Sequence, residues 1–413
     1  NDLPLFSYLS KYILDINTMR RHTIRGKTRT IIYPIIIYLG VTSIMGCKRL
    51  KINQTKRNWE KLSAYFTPPP LYQEKFGTYR NPLLFYNGDT VKNAEDWLKR
   101  RKEIKDKWLN LIGHWPAIIA NQKLEIIKTT EREDFKQHLV RFYWTPLEQT
   151  YGYLLEPNKK GKHPAVITVF YEPETAIGWG GKANRDFAYQ LTKRGFVTLS
   201  LGTRQTTKDK TYSLYYPTIN NSTMQPLSVL AYAAANAWEV LARVESVDST
   251  RIGIMGHSYG AKWAMFASCL YEKFACTVWS DPGIVFDETK DNYINYWEPW
   301  YLGYYPPPWK NIWSNNGNNS STGVYARLYK EGHDLHELHS LLAPRPFLVS
   351  GGYSDNVDRW IPLNHSVAVN RLLGYHHRVA MTNRPKHDPT PESNETIYKF
   401  FEWFLKRKTP KED

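Results

Sequence analysis

The stretch Arg251-Ile-Gly-Ile-Met-Gly-His-Ser-Tyr-Gly-Ala-Lys262 places a serine between two glycines, where a short apolar strand gives way to a helix. Gly256 lies two residues before Ser258 and Gly260 two residues after it. In this G-x-S-x-G arrangement the serine occupies a strained turn that exposes its hydroxyl, and side chains at the two flanking positions would clash. The N-terminus of the following helix favours negative charge. We therefore predict that Ser258 is a nucleophile, with an ordinary tight turn as the alternative.

Strands and helices alternate along much of the chain around this turn. The predicted strands are 122–130, 135–144, 150–155, 165–171, 195–201, 274–280, 345–350 and 378–382. The predicted helices are 94–111, 186–194, 227–244, 333–342, 361–373 and 393–407. Such alternation is typical of an α/β protein with a mostly parallel central sheet and helices on both faces. Together with the turn at Ser258, it predicts the α/β-hydrolase fold.

The first fifty residues have the pattern of an export signal. After Met19, the alternative start, come five basic residues, an apolar run from Ile31 to Gly46, and Cys47. The run is shorter than the roughly 20 apolar residues that span a bilayer. We predict a lipoprotein signal with the lipid on Cys47, and keep a plain signal peptide and a membrane anchor as alternatives. The expected location is the periplasm or outer membrane, with no other membrane contact.

The chain of 413 residues divides into four parts. We predict a signal or lipoprotein segment at 1–47, a linker at 48–75, a helical extension at 76–121 and the main domain at 122–408. The main domain carries an insert at 288–329 that is rich in Tyr and Trp.

Composition indicates the kind of partner. The net charge of +16 favours acidic partners, and the 29 Tyr and 15 Trp residues include flat side chains suited to sugar rings. An acidic polysaccharide or oligosaccharide fits export better than nucleic acid does. No metal or other cofactor is expected, because His333, His336 and His339 recur at every third residue and so spread around a helix.

The predicted fold also indicates where the partners of the serine lie. In α/β-hydrolases the chain order is serine, acid, histidine. His387 follows the last predicted strand in a proline-rich loop, so we predict that it is the general base. Asp355 is the favoured acid; Asp281, after the preceding strand, is the alternative, and Asp358 is a third candidate.

Oxyanion and substrate contacts are predicted less sharply. The backbone N–H of Tyr259 and one from the loop after strand 165–171, with Tyr171 favoured, would hold the oxyanion. The insert would form a cap over the active face and stack on sugar rings through Trp297 and Trp300, with an internally packed insert as the alternative. Glu172, in the loop after Tyr171, is a further candidate for binding substrate, with a solvent-facing turn residue as the alternative.

Several of these motifs resemble bacterial serine carbohydrate esterases, the group around the glucuronoyl esterases and acetylxylan esterases. The resemblance rests on the Ser258 turn followed by Lys262, the strand 341–352 and the loop 387–392. Glucuronoyl esterases carry G-C-S-R-x-G-K, in which the arginine helps hold the oxyanion and the lysine contacts uronate hydroxyls. Lys262 keeps that spacing, whereas His257 replaces the cysteine and Tyr259 the arginine. The resemblance implies that Lys262 binds substrate.

These observations favour an exported serine carbohydrate esterase that removes O-acetyl groups or opens alkyl esters of uronic acids. A serine peptidase on the same fold and a non-catalytic saccharide-binding lipoprotein are the alternatives.

Overall fold

In the computed structural model, the residues described are 59–203, 215–309 and 323–407, and they contain one sheet of nine strands. The strands are β1 (Glu125–Glu131), β2 (Phe135–Thr145), β3 (Glu148–Pro157), β4 (His163–Phe170), β5 (Val197–Gly202), β6 (Val247–His257), β7 (Thr277–Ser280), β8 (Phe347–Gly351) and β9 (Val379–Asn383). Their order is β1-β2-β3-β5-β4-β6-β7-β8-β9. In this spatial order, the neighbours β1, β2, β3 and β5 pair antiparallel, and the neighbours from β5 through β4 to β9 pair parallel.

Residues 59–63 are helical, and nine further α-helical segments of the described residues surround the sheet. They are α1 (Ala94–Ile112), α2 (Pro173–Ala176), α3 (Phe187–Lys193), α4 (Pro226–Leu241), α5 (Tyr259–Leu270), α6 (Val324–Lys330), α7 (His336–Ser340), α8 (Trp360–Leu372) and α9 (Pro391–Phe401). Shorter 3-10 turns lie at Ala64–Phe66, Pro70–Tyr72, Glu288–Tyr293 and Val357–Arg359, and a π-helical turn at Glu402–Lys406 follows α9.

Helices cover both faces of the sheet around β6. A Cβ built on Gly253 would meet Phe401 of α9, whereas one built on Gly256 would meet Gly260 of α5. Residues of opposite parity on a strand point to opposite faces, so α9 and α5 lie on different sides. Every residue of β4, β5, α4 and α5 is buried, as expected for parallel strands covered on both faces. The prediction of a mostly parallel sheet with helices on both faces is confirmed.

The helical extension packs onto the main domain through α1. Asn93 caps the helix by accepting the N–H of Asp96, and the buried stripe contains Trp97, Ile104 and Trp108. Leu98, by contrast, is 64% exposed. It therefore lies on the solvent side of the helix.

The insert contains more regular structure than predicted. The turn Glu288–Tyr293 begins the insert and helix α6 ends it, whereas no helix or strand was predicted within 288–329. The predicted signal segment at 1–47, the linker up to 58 and insert residues 310–322 lie outside the described residues. Among the helices that are described, none is long and apolar enough to cross a membrane.

Candidate active site

Ser258 lies in the strained turn that the sequence predicts, between β6 and α5. Its φ is 55° and its ψ is −118°, in a region that residues with a Cβ rarely adopt. A Cβ on Gly256 would lie 2.2 Å from the Gly260 oxygen, and one on Gly260 would lie 1.9 Å from the Val169 oxygen. Both glycines are therefore required by close backbone approach.

A continuous hydrogen-bond chain runs from Ser258 through His387 to Asp281. The Ser258 Oγ to His387 Nε2 distance is 2.8 Å, and His387 Nδ1 lies 2.6 Å from Asp281 Oδ2. Because a carboxylate only accepts, Nδ1 carries the hydrogen, and Nε2 is left to accept from the serine hydroxyl. This is the arrangement in which an imidazole serves as a general base toward a serine. The chain thus brings together the predicted nucleophile, the predicted base and the alternative acid.

The preference for Asp355 as the partner of His387 is wrong. The Asp355 carboxylate instead accepts the backbone N–H groups of Gly283 and Ile284 at 2.9 and 2.7 Å. Its own backbone N–H donates to Asp281 at 2.9 Å, so it lies behind the acid that faces the histidine. Asp358 belongs to the short 3-10 turn beyond it. Sequence order alone did not separate these acids, because both strand ends open onto the same edge of the sheet.

Backbone donors hold the Asp281 carboxylate. The N–H groups of Gly352, Ser354 and Asp355 donate to it at 2.7, 3.2 and 2.9 Å. Burial favours the neutral acid, but the hydrogen bond from His387 and the charges of His387 and Arg384 hold the pKa of Asp281 below its ordinary value. Asp281 therefore stays ionised and can stabilise a developing imidazolium.

The carboxyl of Asp355 has the opposite electrostatics. Burial raises its pKa to about 7, and the neighbouring charge of Asp281 raises it as well. The pKa values of the two acids are thus shifted in opposite directions although their loops are in contact.

Arg384 organises the histidine loop, and the sequence reasoning missed it. Its guanidinium donates to the carbonyl oxygens of His387, Asp388 and Ser350 at 2.6, 2.8 and 2.7 Å. The side chain is buried, so these three bonds tie the loop to the end of β8. Arg185 also pairs with the Asp388 carboxylate. An arginine between the last strand and the histidine was the available signal.

The two residues predicted to hold the oxyanion lie side by side. The rings of Tyr171 and Tyr259 stack with centroids 4.5 Å apart and planes at 10°. Tyr259 is the first residue of α5, where N–H groups have no acceptor within the helix. Its phenol is buried and packs against Trp263 and Tyr301. The side chain of Tyr259 therefore does not take the place of the arginine that follows the serine in the glucuronoyl esterase motif. Its backbone N–H is therefore the group that remains for the oxyanion.

Lys262 is not exposed to substrate, contrary to the prediction. It is 2% exposed and donates to the carbonyl oxygens of Pro282 and Tyr293 at 2.5 and 2.9 Å. Burial lowers its pKa to about 8. Lys262 therefore joins the loop after β7, which contains Asp281, to the insert.

The prediction that Trp297 and Trp300 form a sugar-stacking cap is wrong for Trp300. Trp300 is buried with Tyr301 in the main hydrophobic core, and Trp297 is half-buried against Tyr325. Trp300 and Tyr301 are thus packed internally, as in the alternative. The aromatic content of a loop does not reveal which rings are buried.

Two exposed tyrosines lie beside His387 instead. Tyr293 meets the His387 ring edge-on at 5.1 Å, and Tyr353 lies 4.7 Å from Tyr293; both are 44% exposed. The Lys290 ammonium lies 4.6 Å above the Tyr353 ring. These three residues, which we call the tyrosine platform, were not identified from sequence. Glu172, a predicted substrate contact, is half-exposed and pairs with Lys182 at 3.2 Å.

The three histidines of the region 333–339 have separate partners. His333 bonds to Glu337 at 2.6 Å, His336 bonds to the Arg80 carbonyl at 2.6 Å, and His339 lies 3.2 Å from the sulfur of Met265. They anchor α7 to the helical extension and to the core.

Solved structures of esterases share this architecture. A glucuronoyl esterase from Solibacter usitatus has 17% identity and a TM-score of 0.61 over 79% of this chain and 97% of its own. A carbohydrate esterase family 15 glucuronoyl esterase from Caldicellulosiruptor kristjansonii has 20% identity and a TM-score of 0.58 over 82% of this chain and 93% of its own. A family 15 esterase from a marine bacterial metagenome has 15% identity and a TM-score of 0.57 over 79% and 97%.

No protein-family model matches the sequence, and no curated protein is similar to it. The structural similarity, at these identities, establishes that the chain has the α/β-hydrolase fold.

Proposed function

We propose that the protein is a serine carbohydrate esterase that hydrolyses ester substituents of a polysaccharide or oligosaccharide. The observation that carries this proposal is the Ser258–His387–Asp281 chain at 2.8 and 2.6 Å, built on a strained turn. The structural likeness to glucuronoyl esterases, which is one of fold, supports the choice of esters over peptides.

The reaction follows from the hydrogen-bond chain. His387 Nε2 takes the hydroxyl proton as Ser258 Oγ attacks the ester carbonyl, and the N–H of Tyr259 donates to the resulting oxyanion. The imidazolium, stabilised by Asp281, then protonates the departing alcohol and leaves an acyl group on Ser258. A water molecule, deprotonated by His387, attacks this acyl-enzyme and releases the acid.

The tyrosine platform is the proposed contact for the sugar. Exposed aromatic faces stack on pyranose rings, and Tyr293 already touches the ring of His387. Lys290, above Tyr353, supplies a positive charge suited to a carboxylate on the glycan. We propose export with a lipid on Cys47 on the sequence pattern alone.

Hydrolysis of two substrates tests the proposed function. The mature protein is assayed on an acetylated oligosaccharide and on the methyl or benzyl ester of glucuronic acid, with Ser258→Ala as the control. We expect serine-dependent release of acetate or alcohol and no cleavage of peptides. Absence of serine-dependent hydrolysis on both esters would contradict the proposal.

A second comparison tests the platform. Tyr353→Ala should raise KM for the oligosaccharide ester and leave hydrolysis of 4-nitrophenyl acetate unchanged, because that small ester has no sugar to stack. Tyr151→Ala, which removes an exposed tyrosine from β3, is the matched control. Equal KM changes in the two variants would remove the platform from substrate binding.

A further inference from the structure

A small enclosed cavity lies directly beside the serine turn. It is lined by Thr168 and Phe170 of β4, Arg185, Phe187, and Gly256 and His257 of β6, among others. The space in which the centre of a water-sized sphere fits has a volume of about 10 Å³. That is close to the roughly 10–15 Å³ that one buried water needs.

Three side chains that line the cavity carry buried polar atoms without a partner in the described part of the chain. They are Thr168 Oγ1, Arg185 Nε and His257 Nε2. Thr168 pairs in register with Met255, and His257 is two residues further along β6, so both side chains point to the same face. Buried polar atoms in native proteins are nearly always hydrogen-bonded, and an unpaired one is costly.

The hydrogen-bonding roles of these atoms are complementary. His257 Nδ1 lies 3.1 Å from the Ser280 carbonyl oxygen, which only accepts, so Nδ1 carries the hydrogen. Nε2 of a neutral ring is then an acceptor that needs a donor. Arg185 Nε is a donor that needs an acceptor, and a water molecule satisfies both.

The His257 ring also contacts the proposed base. Its centroid lies 4.8 Å from that of His387, with Phe170 stacked at 6.3 Å. Burial, followed by the charges of His387, Arg384 and Arg185, lowers the pKa of His257 well below its ordinary value. A neutral ring here avoids repulsion with an imidazolium at His387. Arg185, through its pair with Asp388, links the cavity to the histidine loop.

We propose that the cavity holds one ordered water, which accepts from Arg185 Nε, donates to His257 Nε2 and bonds to Thr168 Oγ1. The Ser280 carbonyl fixes His257 as the neutral Nδ1–H tautomer, the water holds its Nε2, and this ring is a positioning residue for His387. The positioning role rests on the proposed function, whereas the water and the tautomer do not.

Two measurements on the wild-type protein test the water without any activity assay. A high-resolution crystal structure should show density within hydrogen-bond distance of all three polar atoms. Nitrogen NMR of the histidine rings should show Nδ1 of His257 protonated and Nε2 unprotonated. An empty cavity, or a hydrogen on Nε2, would overturn the proposal.

Kinetics of Thr168 variants test the positioning role. Thr168→Val keeps the side-chain shape and removes one partner of the water, so kcat for ester hydrolysis should fall about three- to tenfold with KM unchanged. Thr168→Ser should restore kcat. Thr198→Val, which removes an equally buried hydroxyl from β5 that bonds to Thr192, is the control and should leave kcat unchanged.

Wild-type kcat in Thr168→Val, or an equal loss in Thr198→Val, would overturn the positioning role. If the wild-type protein hydrolyses no ester, the proposed function fails, and the density and the tautomer still decide the water site.

Discussion

Two fully buried aspartates lie just beyond the carboxyl ends of neighbouring strands, and they have different surroundings. Asp281, after β7, accepts backbone N–H groups from the loop after β8 and the Nδ1–H of His387. Asp355, after β8, accepts two backbone N–H groups from the loop after β7. Each carboxylate thus holds the other loop, but only Asp281 reaches the histidine. Asp281 is therefore the partner of the histidine, whereas Asp355 supports the loops of the site. Substitution of Asp281 should mainly lower activity, and substitution of Asp355 should mainly lower stability.

The largest expected effect is the loss of activity in Asp281→Asn. The amide cannot stabilise an imidazolium and favours the wrong tautomer of His387, so kcat should fall about a thousand- to ten-thousand-fold. Steady-state ester hydrolysis measures this, with circular dichroism to verify folding. Activity within tenfold of wild type would reverse the assignment of the two aspartates.

Asp355→Asn should mainly lower stability. An amide offers one acceptor oxygen for two N–H groups, so one buried donor is left unpaired at a cost of about 1–3 kcal/mol. Denaturant unfolding measures this loss, and kcat should stay within about tenfold of wild type, because His387 keeps its partner. A loss of activity as large as that of Asp281→Asn would contradict the division of roles.

The pH dependence of stability should also differ between the two carboxyls. The raised pKa of Asp355, to about 7, means that the folded state holds a proton that the unfolded state releases above about pH 4. Its contribution to the free energy of unfolding is therefore full at low pH and falls, by at most about 1.4 kcal/mol per pH unit, as the pH rises toward 7. The lowered pKa of Asp281 has the opposite sign, and its contribution is lost only in acid.

Unfolding of wild type and Asp355→Asn at pH values from 5 to 8 isolates this effect, because other titrating groups remain in both proteins. The advantage of wild type should shrink as the pH rises to 7. A constant difference between the two proteins would show that Asp355 does not titrate in this range.

The smallest effect is expected for Asp358→Asn, the third candidate acid. Its half-buried side chain lies in the 3-10 turn Val357–Arg359, and the structure shows no hydrogen bond from it to His387 or Asp281 among the described residues, so stability should change by about 1 kcal/mol or less. Ester hydrolysis should match wild type within error. A large loss of activity in this variant would show that Asp358 also takes part in the reaction, which would contradict the assignment of Asp281 as the acid.

Local sequence predicts one part of this site and long-range packing decides the rest. The turn at Ser258 was predictable because close backbone contacts require glycine at positions 256 and 260, and both glycines lie within five consecutive residues of the sequence. His387 was predictable from chain order and its place after the last strand. The choice between Asp281 and Asp355 depends on which of the two loops lies nearer to His387. The residues adjacent in sequence to either aspartate do not determine this.

Substrate contacts were the least predictable part. Trp300 and Lys262 have the composition expected of a sugar site but are buried, because the insert folds onto the core. Tyr353 reaches the surface beside Tyr293 although it follows two glycines in an unremarkable loop. Burial of a side chain in a long insert is set by contacts distant in sequence.

Labelling with a fluorophosphonate, which reacts only with an activated serine, tests the central claim most directly. Peptide mapping should find one adduct, on Ser258, formed at similar rates in wild type and Asp355→Asn and far more slowly in Asp281→Asn. An adduct on another residue, or slow labelling in Asp355→Asn with normal labelling in Asp281→Asn, would contradict the account.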